Sequence, residues 1–523
     1  MKVSRAIWLS AATMASRVLG LLRDQLFAIL LGAGRYSDAF VVAFRIPNLL
    51  RDLFAEGALS AAFVPTFADG WRNRGEAEAR RLAGTVVALI VLVVGALVLL
   101  GVLFADEVVA AIAPALLDQA LAARLARIMM PFLLLVSLAA AVMGMLNARG
   151  HFTAPALASA FFNVGSLAVG LGLWLAGWPP ERAVVGWAVG TLLGGLLQLA
   201  IQLPSLRRAG AWPSFGLERD RLAHPGLRRI GRLMTASLVG LSATQVNILV
   251  GTSFATREEG AATWLQMAFR LMQLPLGVFG VAIATVAGAG VAQAAAARDL
   301  PEAKRTLGSA LRLVAFLNVP SAVGLAVLAL PIVSLIYQHG RFSPSDAAST
   351  AQALVAYAVG LYAYSGVKVM APAFYALDRA RVPVLGAVAG MVANVLITVA
   401  LHPVLGFVGV ALGTSLAAGV NFAVLLVAWR RLYGGLDGAG LPTQLAKVLV
   451  ASAVLAVAAW GTVAGLSALA PGHGLASQLL VGLGPVAVGA LVYFGAARLL
   501  GIAELGDLAE ALRRRRARKA VAS

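Results

Sequence analysis

Two eight-residue phrases carry the same charges at the same spacing: RVLGLLRD at 17–24 and RIPNLLRD at 45–52. Each sets Arg, five residues, then Arg-Asp inside a run of Leu, Val, Ala, Phe and Gly. Guanidinium groups stay charged and donate in a planar fork that suits carboxylate or phosphate oxygens. An Arg or Asp at the centre of a membrane-spanning helix costs roughly 2.5 to 3.5 kcal/mol on insertion scales, so such residues face a watery cavity or pair with each other. Two such phrases therefore point to a cavity that receives an anion. Helical positions seven apart lie within about 20° of each other, so Arg17 shares a face with Asp24, and Arg45 with Asp52. Extending the second stripe adds Asp38 and Glu56 as a polar edge along the helix. Arg23 and Arg51 fall about 120° from Arg17 and Arg45 on an ideal helix, and Gly20 and Pro47 are the places where bending would re-aim them. Arg270 and Lys368 are each the only cation of a later apolar segment.

The elements that hold these residues belong to a membrane. Apolar residues make up 60% of the 523 positions and charged residues 12%, with mean hydropathy +0.87, whereas a soluble domain carries about 25% charged residues. Runs of about 20 apolar residues each suffice to cross a bilayer core as a helix. They fall near 6–33, 37–66, 82–104, 122–147, 154–176, 183–204, 230–254, 263–296, 308–337, 347–376, 382–402, 406–429, 443–466 and 476–499. The expected fold is thus all-α and polytopic, with about 14 transmembrane helices. Lys2 and Arg5 open the first run as in a signal peptide, but Arg17, Arg23 and Asp24 interrupt it and no small-residue cleavage site follows, so it is expected to be retained. There is no Cys, and the five His form no ligand-spaced cluster, so no metal, cofactor or catalytic centre is expected and the chain does not read as an enzyme.

The chain also repeats itself. Ala43-Phe44-Arg45 recurs as Ala268-Phe269-Arg270, Phe54 as Phe279, and LNARGHFTAP (146–155) aligns with FYALDRARVP (374–383). The nearly constant offset predicts two parallel six-helix halves around a central cavity, 1–204 and 230–431. A basic linker at 205–229 joins them, and two additional helices with a basic tail occupy 432–523. Internal repeats of this kind build central transport sites.

Three stretches carry a family resemblance. SRVLGLLRD (16–24), DAFVVAFRIPNLLRDLFAEGALSAAFVPTF (38–67) and FRLMQLPLGVFGVAIAT (269–285) resemble the signature stretches of the MurJ (MviN) lipid II flippase family, a branch of the MOP transporter superfamily. The resemblance implies movement of lipid II, the undecaprenyl-diphosphate-linked peptidoglycan precursor, from inner to outer leaflet of the bacterial plasma membrane by alternating access. It implies a role in cell-wall synthesis and cell shape, with lipid II as the partner and cell-wall synthesis proteins as further candidates. Arginines of the first, second and eighth helices line the cavity in that family, and the matching positions here are Arg17, Arg23, Asp24, Arg51 and Arg270. Glu56 matches a carboxylate near the gate, and Asp38, Arg45 and Lys368 are kept as gating or secondary positions. Two departures stand out. Many members have an aspartate just before the eighth-helix arginine, where this chain has Phe269, and the seventh-helix segment SATQVNILVGTSF (242–254) lacks the acid that forms a sodium site in some members.

Other readings differ in what the cavity should contain. A MATE-like exporter of organic cations calls for unpaired carboxylates rather than arginines, while an oligosaccharide-lipid flippase also calls for Arg and is separated only by the signature stretches. A membrane enzyme on polyprenyl phosphates calls for acidic or His clusters at a membrane face, and a scaffold has no need of intramembrane Arg.

Every second connection is basic, from Lys2 and Arg5 through Arg207, Arg208, Arg219 and Arg221 to the tail Arg513–Lys519, and the connections between are acidic or nearly neutral. Short cytoplasmic loops hold the positive charge. Both termini are therefore expected in the cytoplasm, and most of the +19 net charge lies against anionic inner-leaflet lipids rather than nucleic acid. Tags at the 205–232 connection and at the C-terminus should report cytoplasm and a tag near Glu258 the exterior; a cytoplasmic signal at 256–260 would break the fourteen-span topology.

Overall fold

The computed structural model describes residues 3–52, 59–436, 440–469 and 475–506, and among them the regular structure is helical. Each expected span, edges aside, falls on a helix or on helices broken by a short turn wherever the chain is described. Ten of these helices are long and apolar enough to cross a membrane, or eleven when the pair Pro344–Ala358 and Leu361–Ala376, bent by 43°, counts as one. The helices Val3–Leu31, Arg35–Arg51 with Ser60–Asn73, and Pro225–Ala255 stay outside that count. Val3–Leu31 carries the first charged phrase, which lowers its apolarity, and Arg35–Arg51, with the second, is short at 17 residues.

Contacts gather the chain into two compact units, Met1–Thr263 with His339–Ser343, and Trp264–Gln338 with Pro344–Ser523. In the first unit the helix Val3–Leu31 packs on Thr153–Leu175, which pairs in turn with Pro180–Ala200. Lipid tails are as apolar as Leu, so close van der Waals packing holds such helices together. Small residues permit it: a Cβ on Gly165 would come within 2.8 Å of the Gly194 Cα. The second unit has a matching hairpin, Arg381–Leu405 with Phe407–Tyr433, where Gly413 lies against Thr398. Its last two helices pair with each other and lean on Leu300–Val327. There the Tyr493 hydroxyl donates to the Phe316 carbonyl at 2.6 Å, and Arg312 pairs with the buried Glu504 at 2.8 Å.

The basic connection after Pro180–Ala200 is a strap laid along the first unit. Leu206 and Ala211 are buried, the Ser214 amide donates to the Arg80 carbonyl at 3.0 Å, and the Arg149 guanidinium donates to the Ala209 carbonyl at 2.9 Å while lying over the Trp71 ring. His224 closes the strap. Its Nδ1 accepts from the Gly226 amide at the start of Pro225–Ala255, and its Nε2 lies 2.7 Å from Glu78. This helix then packs on Ser60–Asn73, also in the first unit.

Strap and membrane helix touch most closely at Gly84, where a Cβ would sit 1.8 Å from the Ser214 carbonyl oxygen. Gly84→Ala should therefore lift the strap and lower stability by about 1 to 3 kcal/mol, the usual cost of overpacking. Thermal unfolding in detergent checks this, with Gly95→Ala as the control because nothing lies within 4 Å of a Cβ there.

Candidate functional site

Both arginine phrases close on themselves. Arg23 donates from Nε (3.2 Å) and Nη2 (2.8 Å) to one oxygen of Asp24. Arg51 does the same to Asp52, at 3.2 and 2.9 Å. The first pair is the more enclosed, its side chains 12% and 11% exposed against 24% and 32% for the second. Each carboxylate thus serves the adjacent arginine and not the one seven residues earlier. The geometry explains why: seven residues share a face but stand about 10.5 Å apart along the axis, beyond direct contact, whereas an Arg side chain can fold back onto its neighbour.

A second helix steadies the first clasp. The Arg23 guanidinium lies 5.3 Å from the centre of the Phe162 ring, and the next residue, Asn163, donates its side-chain amide to the Ser16 carbonyl at 3.0 Å. Thr153–Leu175 therefore fixes the backbone just before Arg17 and covers the guanidinium six residues on. Arg17 itself is half-buried and has no carboxylate partner among the described residues. Arg45 is half-buried on Arg35–Arg51, whose interior Pro47 removes one backbone donor.

The remaining expected positions divide. Glu56 lies outside the described residues. Arg270 is exposed on Ala261–Pro275, and Lys368 is exposed on Leu361–Ala376. Phe269, standing where the resemblance leads one to expect an aspartate, packs edge-on against the Tyr357 ring with centroids 5.2 Å apart. The position has become an aromatic contact.

Asp38 departs most from the polar edge read in the sequence. It is buried and accepts three hydrogen bonds, from the Gly260 amide (2.6 Å), the Thr263 amide (2.9 Å) and the Thr263 hydroxyl (2.6 Å). These donors stand at the start of the helix Ala261–Pro275, whose first amides have no partner within the helix and whose dipole favours a negative charge. Further polar contacts surround it within the first unit. Arg35 pairs with Asp118 at 2.7 Å and gives its amide to Glu259 at 3.1 Å, and the Arg341 amide donates to the Ile29 carbonyl at 3.1 Å. Tyr36 donates to Glu181 at 2.9 Å, a bond that raises the Tyr36 phenol above its ordinary pKa. The partners of Arg35, Tyr36 and Asp38 were not visible in the sequence, because they lie 83 to 225 residues from these residues and share no motif with them.

Comparison with known proteins follows the same lines. Residues 27–476 match the family model described as lipid II flippase MurJ. A probable lipid II flippase MurJ of Rhizobium meliloti (strain 1021) is 34% identical over 98% of this chain and 96% of its own length. The lipid II flippase MurJ of Burkholderia cenocepacia is 34% identical over 81% of this chain and 82% of its own. Among solved structures, a lipid II flippase MurJ in an inward closed conformation superposes with TM-score 0.76 at 25% identity, over 94% of this chain and 98% of the other. An inward-facing MATE family transporter of the MOP superfamily shares the fold, with TM-score 0.67 at 16% identity over 82% and 97% of the two chains.

The Asp38 contacts yield a direct test. Asp38→Ala leaves three donors without their acceptor, at about 1 to 3 kcal/mol for each, so the amides of residues 260–263 should exchange hydrogen much faster and the melting temperature should fall. Thr263→Val removes one of the three and should show a smaller effect in the same direction. Unchanged exchange at 260–263 in Asp38→Ala would show that the carboxylate does not hold this helix start.

Proposed function

The chain belongs to the MurJ family of lipid II flippases, a branch of the MOP transporters, and from that premise we propose how its arginines handle the substrate. The chain is a lipid II flippase. Its cargo carries a diphosphate between a polyprenyl tail and a sugar-peptide head, and the residues that take the diphosphate are Arg17, Arg23, Arg51 and Arg270. The observation that carries this reading is the pair of Arg-Asp clasps. In the resting protein Asp24 and Asp52 neutralise Arg23 and Arg51. An arriving diphosphate brings more charge and better fork geometry than a single carboxylate oxygen, so it draws the guanidinium groups off their neighbours. Arg17, with no carboxylate partner among the described residues, makes the first contact.

Transport proceeds by alternating access, from the inner to the outer leaflet of the bacterial plasma membrane, with both termini in the cytoplasm. The six-helix halves 1–204 and 230–431 do the rocking, and the polyprenyl tail remains in lipid. Asp38 acts at the gate by holding the start of Ala261–Pro275 in one state and releasing it in another. Anionic inner-leaflet lipids cover the basic connections, and proteins of cell-wall synthesis receive the product. With the cell interior negative, moving an anion outward is favoured by about 2.3 kcal/mol per charge per 100 mV. No bond of the substrate is made or broken.

Complementation of a flippase-depleted cell tests the assignment. Arg17→Ala, Arg23→Ala, Arg51→Ala and Arg270→Ala should each abolish growth with membrane abundance near normal, and lipid II should accumulate on the inner face. Arg270→Lys keeps the charge but loses the fork, so it should bind lipid II and transport it poorly. Asp52→Ala and Arg45→Ala should be milder. Loss of abundance in all the alanine variants would make the phrases folding elements, and accumulation of lipid II on the outer face would overturn the flippase reading.

A further inference from the structure

In the second unit, the helix that carries Arg270 does not run on regularly. Pro275 ends its first part, Leu276–Gly280 forms a π-turn in which the Val281 amide reaches back to the Leu276 carbonyl, and the α-helix resumes as Val281–Ala296. Proline has no amide to give the Leu271 carbonyl, and the wider turn loosens the ladder. Within a membrane, such freed groups are satisfied by neighbouring hydroxyls or by ordered water.

A buried serine lies against this turn, and helix register brings a buried asparagine to its height. Ser365 on Leu361–Ala376 is fully buried, and a Cβ on Gly280 would come within 2.6 Å of its Oγ, so the glycine is what allows the hydroxyl to approach. Asn318 on Leu300–Val327 is also fully buried. Its spacing from Leu307, Leu311 and Val314 puts it on the side that packs against Ala284, Ala287 and Val291. Register sets its height. Leu300–Val327 folds back along Val281–Ala296 with Thr306 beside Gly290. Ten residues back to Gly280 and twelve on to Asn318 are equal to within about 3 Å at 1.5 Å per residue. Among the described residues, neither amide atom of Asn318 nor the Ser365 hydroxyl has a hydrogen-bond partner.

An unsatisfied buried amide and hydroxyl are costly, and both stand where the backbone of the next helix is itself short of partners. We propose that Asn318, Ser365 and the π-turn Leu276–Gly280 bind a buried water molecule, and that this water makes the turn a hinge between the Arg270-bearing part of the helix and Val281–Ala296. Water suits the site better than a metal ion. The orphaned groups include a donor, the Asn318 amide nitrogen, which would oppose a cation, and Asn318 and Ser365 bring no negative charge. Water exchanges hydrogen bonds as easily as it makes them, so the helix can bend at the turn without stranding a carbonyl in apolar surroundings.

Three measurements on the full-length protein decide the matter; the transport arm rests on the flippase reading and the other two do not. A structure at a resolution that shows ordered water should place a water within hydrogen-bonding distance of Asn318 and Ser365. Asn318→Leu, of similar size but apolar, and the milder Ser365→Ala should slow amide exchange at residues 276–281 by about tenfold, as a dry turn opens less often. Both should slow lipid II transport while leaving lipid II binding intact. Arg270→Ala should abolish transport yet leave the water and the exchange rates as they are. Exchange at 276–281 that ignores both substitutions, a dry site, or a peak that follows the sodium or potassium of the buffer would overturn the proposal. Slowed exchange with normal transport would overturn the hinge. Wild-type protein that moves no lipid II would instead count against the flippase reading.

Discussion

The structure turns on placing permanently charged guanidinium groups in helices built for lipid. Deprotonation cannot relieve an arginine there, so the charge faces a watery cavity or is met by another charge. This chain meets it locally, with the aspartate that follows Arg23 and the one that follows Arg51. Each phrase thus offsets one of its two arginine charges at its own polar point before any other helix arrives. Arg23 gains a further partner in the Phe162 ring, and Asn163 on the same helix ties down the backbone at Ser16.

This arrangement also decides what the fold leaves reactive. A clasp between adjacent residues joins one carboxylate oxygen to two guanidinium donors. In the proposed function, binding of a substrate anion exchanges one counter-charge for another and never strips a charge bare. Such an exchange sets affinity by a difference of two attractions. On that proposal the aspartates are part of the binding chemistry although they repel the substrate.

Much of the architecture was legible in the sequence, and the reason lies in the solvent. Lipid demands long apolar helices, so hydropathy located the ten or eleven helices apolar enough to cross, and the alternation of basic with less basic connections suggested their direction. The pairing of Asp24 and Asp52 was only half legible: face-sharing pointed to Arg17 and Arg45, but the rise along the helix favours the neighbour. Asp38 was legible as part of a polar edge and illegible as a buried helix cap, because its donors at Gly260 and Thr263 lie more than 200 residues away and two of the three are backbone amides that no side-chain pattern announces. The strap at 205–229 read as a linker because its composition is basic; what docks it is largely backbone, at Ala209 and Ser214, against Arg149 and Arg80.

A transporter must hold its states firmly enough to seal and loosely enough to leave them, and the polar contacts here differ in how they meet that demand. Asp38 makes three bonds to groups that have no other partner within their helix, so breaking them is expensive and the helix start is either held or released. The Arg-Asp clasps, enclosed at Arg23–Asp24 and more open at Arg51–Asp52, trade one anion for another in the proposed function, so there they yield gradually to substrate. An uncapped helix start favours any anion, but only Asp38 is built in, buried and aimed at it. A switch that must not respond to free phosphate is better made from a covalently tethered carboxylate than from a site open to solution, whereas a site that must respond to a diphosphate is better made from arginines whose own counter-ions can be displaced. The placement of Asp38 and of the Arg-Asp phrases follows that division.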